Sequence, residues 1–284
     1  MGKFSKSILV AALTLSLGAC SATATPTEKV ENESKLTLVE VFNKTKEAET
    51  SLESLHMDMT ANQAMTNSMT NEVVTMETSS KADMVMEPLS GKITSIMNLS
   101  GAEDIPAEFS GFETEMYITE NGIYMKESVQ NQWSKFPAEF MDQFESMMMK
   151  DSLPKNQMEQ LEPYLDSFTF EQDESSYILT LDLEGEKANE MLEQGLNVLP
   201  DELQGQAADM QENISIEAIK MVVLINKETF FTTQMDTETK MIMSIDGEEM
   251  MMDSSVKMTV KDHNNISEII VPAEVVEQAV EMEF

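Results

Sequence analysis

Apolar and polar side chains alternate over the C-terminal third of the chain, a period of two that predicts β-strands with one buried face. Near the end of the chain Met250, Met252 and Met258 fall on one side, whereas Asp253 and Lys257 fall on the other. Successive strands are predicted over residues 214–225, 230–235, 240–245 and 250–260, with turns at residues 226–229 and at Asp246-Gly247.

The N-terminal half shows the same alternation in shorter stretches. Alternating apolar pairs fall within predicted strands at Met57/Met59, Val74/Met76, Met84/Met86 and Met97/Leu99, with a turn at residues 88–91. Asn121-Gly122 lies between two further apolar runs. It predicts a hairpin, because both residues tolerate a positive φ.

A helical period begins at Thr37, which has capping-box spacing to Glu40. Apolar residues at helical spacing continue from Leu38 to Leu55. Further helices are predicted over residues 138–150, 154–166, 186–194 and 201–211, with a short one after Pro272. A strand meander with a preceding helix and inserted helices predicts the α+β class, in a single domain over residues 36–284.

The first residues are typical of a targeting signal. Lys3 and Lys6 precede an apolar stretch over residues 8–17 that is too short to span a bilayer. The stretch ends in Leu17-Gly18-Ala19-Cys20, which resembles the lipobox of bacterial lipoproteins. This resemblance implies a signal peptide over residues 1–19 and a diacylglyceryl anchor on Cys20.

The alternative is an ordinary signal peptide with an incidental cysteine. Cys20 is the only cysteine in the chain, and a lone thiol in a secreted protein needs an explanation, which lipidation supplies. The residues that follow are rich in Ser, Thr and Glu, so residues 20–35 are predicted to form the lipidated start and a flexible linker.

The charge balance excludes several partners. The formal net charge is −34, and all 18 basic residues are Lys. Nucleic acid is excluded as a partner, because its binding depends on neutralising phosphates. An acidic body is also repelled by an anionic membrane surface, so attachment to the membrane has to be covalent.

Few residues are candidates for catalysis. The two histidines, His56 and His263, lie far apart in the sequence and are interpreted as structural residues at a helix-to-strand junction and in a turn. Nucleophile elbows, phosphate loops, zinc spacings and calcium loops are all missing from the sequence. We therefore expect no enzyme, no cofactor and no metal site.

Methionine is the unusual feature, with 27 residues in the chain. Three interpretations stay open: ordinary core filler, the lining of an adaptable apolar cavity, and soft thioether ligands for Cu(I). The candidate cavity lining consists of Met57, Met59, Met84, Met86, Met241, Met243, Met250, Met252 and Met258.

The chain resembles an uncharacterised family of Gram-positive surface lipoproteins. The resemblance is carried by the order of these features, the segments Tyr117–Lys126 and Gln132–Phe136, and the ending at Val271-Pro272. The presumed fold of this family is that of the LolA/LppX-like lipoprotein carriers. The resemblance implies a strongly curved antiparallel sheet, a half-open barrel with helices on its concave face. It also implies binding of an acyl chain or another apolar ligand, without catalysis.

The sequence therefore predicts a non-enzymatic lipoprotein on the extracytoplasmic face of a Gram-positive cell membrane. The membrane, held through Cys20, and an apolar or lipidic ligand are the expected partners. The alternatives are a structural or interaction module of the cell envelope without a small ligand, and a methionine-rich copper-handling protein.

Overall fold

Two antiparallel meanders and two short edge strands form one 13-stranded sheet. The computed structural model describes residues 22–27, 30–101, 110–137, 154–197, 211–245 and 247–282. The first meander contains β2 (Ser54–Asn67), β3 (Val73–Met86), β4 (Leu89–Ser100), β5 (Ser110–Thr119), β6 (Gly122–Glu127) and β7 (Trp133–Phe136). The second contains β8 (Phe168–Gln172), β9 (Ser176–Glu184), β10 (Ile214–Asn226), β11 (Thr232–Ile245) and β12 (Glu248–Lys261).

The two meanders join where β12 pairs with β2. The outer edges carry two short strands, β1 (Thr25–Pro26) beside β8 and β13 (Val280–Glu281) beside β7, both parallel to their neighbours. The sheet is curved and does not close on itself. With its helices, it confirms the predicted α+β class.

The described helices are α1 (Leu38–Thr50), α2 (Pro154–Leu161), a 3-10 helix (Glu162–Ser167), α3 (Glu186–Asn197) and α4 (Ala273–Gln278). The predicted capping box of α1 is present, since the Thr37 hydroxyl accepts from the Glu40 N–H and the Glu40 carboxylate accepts from the Thr37 N–H. In the described part of the chain, no helix is long and apolar enough to cross a bilayer.

The sheet has two ends that differ in character. At the packed end, α1 leads into β2, the β8–β9 and β10–β11 turns reverse the chain, and Glu87-Pro88 joins β3 to β4. At the methionine end, the chain reverses at residues 68–72 and 128–132 and at Gly247. Strands of 12 to 14 residues such as β2, β3, β4 and β11 connect the two ends, a span of about 40 Å.

Helix α1 packs on one face of the sheet, which we call the inner face. Leu38, Val41 and Phe42 point from α1 into a core that includes Leu179 and Leu181. All five are almost fully buried. The apolar stripe of α1 thus meets the apolar positions of the strands, and this contact fills the packed end.

A smaller core lies on the opposite, outer face. Tyr117, Tyr124 and Trp133 pack there against Val275 of α4, and the Tyr117 and Trp133 rings are 5.8 Å apart between centroids. Phe136 instead packs against the inner core. The aromatic residues therefore serve core packing, and the C-terminal segment covers part of the outer face.

Several predicted boundaries were wrong. Residues 232–245 form one strand rather than two, because the polar stretch in its middle still pairs on both sides, with Glu238 opposite Lys220 and Asp236 opposite Lys257. The turn predicted at residues 88–91 is shorter, since β4 begins at Leu89. Helix α1 ends at Thr50, so Leu55 belongs to β2.

The structure also differs from the predicted flexible linker. The side-chain amide of Gln172 is buried, donates to the Ala24 carbonyl at 2.8 Å and accepts from the Ser34 N–H at 2.9 Å. Val30 is buried as well. These contacts hold the described residues of the segment against β8. The composition of the segment does not reveal them, because their partner is a side-chain amide far away in the sequence. The signal peptide, Cys20, the helix predicted over 138–150 and all but Gln211 of the helix predicted over 201–211 lie outside the described residues.

Candidate functional site

All nine predicted methionines lie on the inner face. In antiparallel strands, directly opposed residues share a face, and the register opposes Met241 to Met252 and Met243 to Met250. It also opposes Met258 to Met59. Met57, Met84 and Met86 join this face at alternate positions of β2 and β3.

Methionines also line up across strands in two rows of three. One row runs Met235–Met258–Met59 and the other runs Met241–Met252–Met65, each across β11, β12 and β2. Both rows were missed in part, since neither Met235 nor Met65 is among the nine predicted methionines. Met65 follows a polar stretch of β2, and its face is fixed only by pairing. Side chains directly opposed in this way have Cβ atoms about 5 Å apart, so neighbouring thioethers are in contact range.

Burial falls along the inner face from the packed end to the methionine end. Met84 and Met258 are 3% and 6% exposed, and Met57, Met86 and Met241 pack against the core. Met59, Met243, Met250 and Met252 are only half-buried. Along β12 and β2 the inner face is therefore a filled core at one end and a half-buried apolar surface at the other, whereas on β10 Ile216, opposite Met241, is still only 6% exposed.

Among the described inner positions of β2–β5 and β8–β12, the one charged side chain is Glu248 at the start of β12, which is exposed and accepts from the Asn67 side-chain amide at 2.9 Å. This scarcity is notable in a chain with 25% charged residues. Charges lie on the outer positions instead, as in the row Asp182–Lys220–Glu238 across β9, β10 and β11. Since burying an unpaired charge is costly, the arrangement suits an uncharged apolar occupant of the inner face.

Small hydroxyl side chains cross the middle of the inner face. Thr239 and Ser254 oppose each other next to Gln63, and Ser80 bonds Ser95 with an Oγ–Oγ distance of 2.9 Å. This band separates the filled core from the half-buried methionines. It was not predicted, because Ser and Thr in a strand are typical of a wet face.

The outer face holds two polar grooves, with volumes of about 460 Å³ and about 360 Å³. The larger is lined by residues that include Lys220, Glu238 and Asp253. The smaller is lined by residues that include Lys81 and Glu115. Neither groove is lined by any of the nine predicted methionines, so both belong to the charged face.

The two histidines make structural contacts. His56 lies on the outer face between Asp83 and Asp58, with N–O distances of 2.6 and 3.3 Å. Lys261 also contacts Asp58 at 2.7 Å, and its hydrogen bond lowers the pKa of that carboxyl. His263 stacks on Phe231 in the turn after β12. Burial lowers the pKa of His263, which favours the neutral ring.

Among the described residues, no group of three or more His, Cys, Asp or Glu side chains could hold a metal ion. Thioether sulfurs are a separate, softer class of ligand. The methionine rows are therefore the remaining soft-ligand candidates in the part of the chain that the structure describes.

A family model described as a family of unknown function (DUF6612) matches residues 37–280. The chain belongs to DUF6612. The match covers every strand from β2 to β12 and therefore the whole inner face of this DUF6612 protein. No curated protein matches the chain.

Two solved structures are distantly similar to this DUF6612 chain. A DUF1329 family protein from Desulfovibrio piger is 12% identical, with 79% of this chain and 91% of that chain covered and a TM-score of 0.24. A beta-barrel-like protein of domain of unknown function DUF1849 from Brucella abortus is 6% identical, with 74% and 99% covered and a TM-score of 0.20. Similarity this weak carries no functional argument.

Proposed function

We propose that this DUF6612 protein is a lipoprotein of the extracytoplasmic membrane face that binds an apolar or lipidic ligand on its inner face, without catalysis. It would be held by lipid on Cys20 and would resemble the LolA/LppX-like carriers in its use of the sheet. The observation that carries the proposal is the inner face, which is half-buried and rich in methionine at one end and, in β2–β5 and β8–β12, is charged at the exposed Glu248 alone among the described residues.

The chemistry of that face fits a flexible apolar molecule. Methionine is unbranched and polarisable, so its side chains adapt to an irregular apolar partner. The hydroxyl band beside the methionines supplies donors and acceptors for one polar group of such a ligand, for example an ester. Together they favour an acyl chain with an uncharged polar end.

Two adjacent methionines on opposite faces of β12 allow a matched experiment. Met252 lies on the inner face, whereas Met251 lies on the outer face. Titration of an environment-sensitive apolar dye should show saturable binding that Met252→Gln weakens about tenfold, since losing about 1.4 kcal/mol of apolar contact corresponds to that factor. Met251→Gln should leave the dye affinity unchanged. Equal effects of the two variants, or no saturable binding, would contradict the proposal.

The anchor is tested separately. Cys20→Ala should release the protein from the membrane fraction or leave its signal peptide uncleaved, because the lipid can no longer be attached. Metabolic labelling with a radioactive fatty acid measures this directly. Unchanged labelling of Cys20→Ala would show that the lipid is not on Cys20.

The methionine rows favour copper handling as a second candidate. Three thioethers in line across β11, β12 and β2 are a soft donor set of the type that Cu(I) accepts. Titration with Cu(I) against a competing chelator decides between the two. Tight binding that Met241→Leu and Met252→Leu abolish, with apolar dye binding retained, would favour copper.

A further inference from the structure

Exposed apolar side chains occur in two regions, the C-terminal segment, where Ile270 is 71% exposed, and the methionine end of the sheet. Met69 in the β2–β3 turn is 74% exposed, and Val129 in the β6–β7 turn is 55% exposed. On the outer face, Met251 and Val73 are also exposed, in the cross-strand row Ile242–Met251–Thr66–Val73. Apolar groups therefore lie at this end on both faces of the sheet.

The packed end has the opposite surface. Its turns carry exposed acidic side chains: Glu87, Glu120, Glu174, Glu228 and Asp262. The methionine end thus combines exposed apolar side chains with exposed Glu72, Glu248 and Glu249, whereas the five packed-end residues are all acidic. Exposed apolar patches of this kind mark contact with a membrane or a partner.

The N-terminal segment runs toward the methionine end. Strand β1 is parallel to β8, with Thr25 opposite Glu171 and Pro26 opposite Gln172, and β8 itself ends at the packed end. Followed backwards from Pro26, the chain therefore leaves the packed end. It reaches Ala22, whose carbonyl accepts from the Leu38 N–H at the start of α1.

The start of α1 is distant from the packed end. Helix α1 has 13 residues and leads into β2 at the packed end, so its first residue lies at most about 20 Å away from that end. In the sequence only Ser21 separates Ala22 from Cys20, a stretch that spans at most about 7 Å. A lipid on Cys20 would therefore hold the domain close to the bilayer.

We propose that the methionine end rests in the outer leaflet of the membrane that holds Cys20, so that the inner face opens toward lipid. This inference rests on the proposed function, because it needs the anchor. It adds the orientation of the domain on the membrane and the source of the ligand, which would be the membrane itself. Met69, Val73, Val129 and Met251 would form the contact.

The charge near this end selects the kind of lipid. Glu72, Glu248 and Glu249 are exposed beside the apolar tips, and the chain as a whole has a net charge of −34. Anionic headgroups would repel this surface, and salt would screen the repulsion. The partner is therefore a surface of zwitterionic or neutral lipid.

Four single-cysteine variants of the full lipidated chain test the orientation. The Cys20 thiol is consumed by lipidation, so a fluorophore can be placed at Met69→Cys or Val129→Cys at the methionine end, or at Glu174→Cys or Glu228→Cys at the packed end. The proteins are reconstituted in phosphatidylcholine vesicles with brominated acyl chains. Both labels at the methionine end should lose about half of their fluorescence, because interfacial apolar groups lie about 5–10 Å deep. The labels at the packed end should lose none.

Each other outcome overturns the proposal. Quenching at the packed end would reverse the orientation. A change in emission at Met69→Cys without quenching by lipid bromine would mean that a protein, not lipid, covers the tips. The mass of the N-terminal peptide gives the state of Cys20 separately. An unmodified Cys20 would overturn the anchor as well, whereas a lipidated Cys20 with unquenched labels would overturn the orientation alone.

Discussion

The carboxyl group of Glu49 is buried at the packed end, where α1 meets the start of β11. The residue is 3% exposed, and its Oε1 accepts from the Thr232 N–H at 2.9 Å. Its Oε2 is buried without a partner, as are the hydroxyls of Thr45 and Thr232. Burial raises the pKa of Glu49, against the opposing hydrogen bond from the Thr232 N–H. A protonated Glu49 would also be able to donate a hydrogen bond from Oε2.

We predict that Glu49→Gln becomes more stabilising as the pH rises. The pKa of Glu49 is raised in the folded state. Its contribution to folding stability is therefore fully present below the unfolded pKa, about 4.3, and is lost as the pH rises through the folded pKa. The uncharged amide of Gln escapes this loss. Thermal unfolding from pH 4 to 8 should show the Tm difference from the parent protein rising with pH.

Glu47→Gln is the matched control for this prediction, because Glu47 is exposed on the same helix. Its Tm difference should stay flat over the same pH range. If the Tm difference for Glu49→Gln also stayed constant with pH, burial would not be raising the pKa of the Glu49 carboxyl.

Residues of this kind mark the limit of what the sequence predicts. Glu49 has the pattern of an exposed helical glutamate, and its partner Thr232 is 183 positions away. The faces of Met241, Met243, Met250 and Met252 could be predicted, because each lies in a strand with a clear period of two next to the Asp246-Gly247 turn. Local pattern gives the face of a residue, whereas long-range pairing gives its partners.

At the scale of elements, the N-terminal segment depends on one amide. Gln172 is 1% exposed, and its side chain hydrogen-bonds Ala24 and Ser34, which lie in the first and the second half of the segment. Gln172→Leu would leave these backbone groups without partners, at a cost of about 1–3 kcal/mol each. We therefore predict that the Ser34 and Leu38 amides exchange hydrogen at least about tenfold faster in this variant.

Glu171→Gln is the control for Gln172→Leu, because it changes the neighbouring residue of β8 without touching the buried amide. Hydrogen exchange followed by mass spectrometry measures both variants. Unchanged protection of residues 22–38 in Gln172→Leu would show that backbone pairing between β1 and β8 holds the segment without the side chain.

The two ends of the sheet should contribute unequally to stability. Leu181 is fully buried beside Met221 at the packed side of the core, so Leu181→Ala should cost about 2–5 kcal/mol. Met252 is half-buried near the methionine end, so Met252→Ala should cost about 1 kcal/mol. Urea unfolding gives both free energies. Equal costs would mean that the methionine end is an ordinary filled core.

Strand boundaries were predictable where turn residues and alternation agree. The Asn121-Gly122 hairpin and β12 were predicted correctly for this reason. The interruption predicted inside β11 was wrong, because Thr237 and Thr239 face inward among the hydroxyl band instead of forming a turn. A polar inner position in a strand looks like a break until its neighbours across the sheet are known.

At the scale of the whole molecule, one sheet carries two different functions along the length of its strands. The packed end supplies the stability through the contact of α1 with the inner face. The methionine end carries the methionine-rich surface that we propose for ligand binding. The α+β class follows from the sequence, but this division follows only from the register and the placement of α1.

Native mass spectrometry of the intact protein, purified in mild detergent from the cells that make it, tests the central claim most directly. We predict one retained apolar molecule per chain, which solvent extraction recovers and Met252→Gln reduces. A chain that carries no bound molecule, and takes up none when mixed with extracted membrane lipid, would contradict the account.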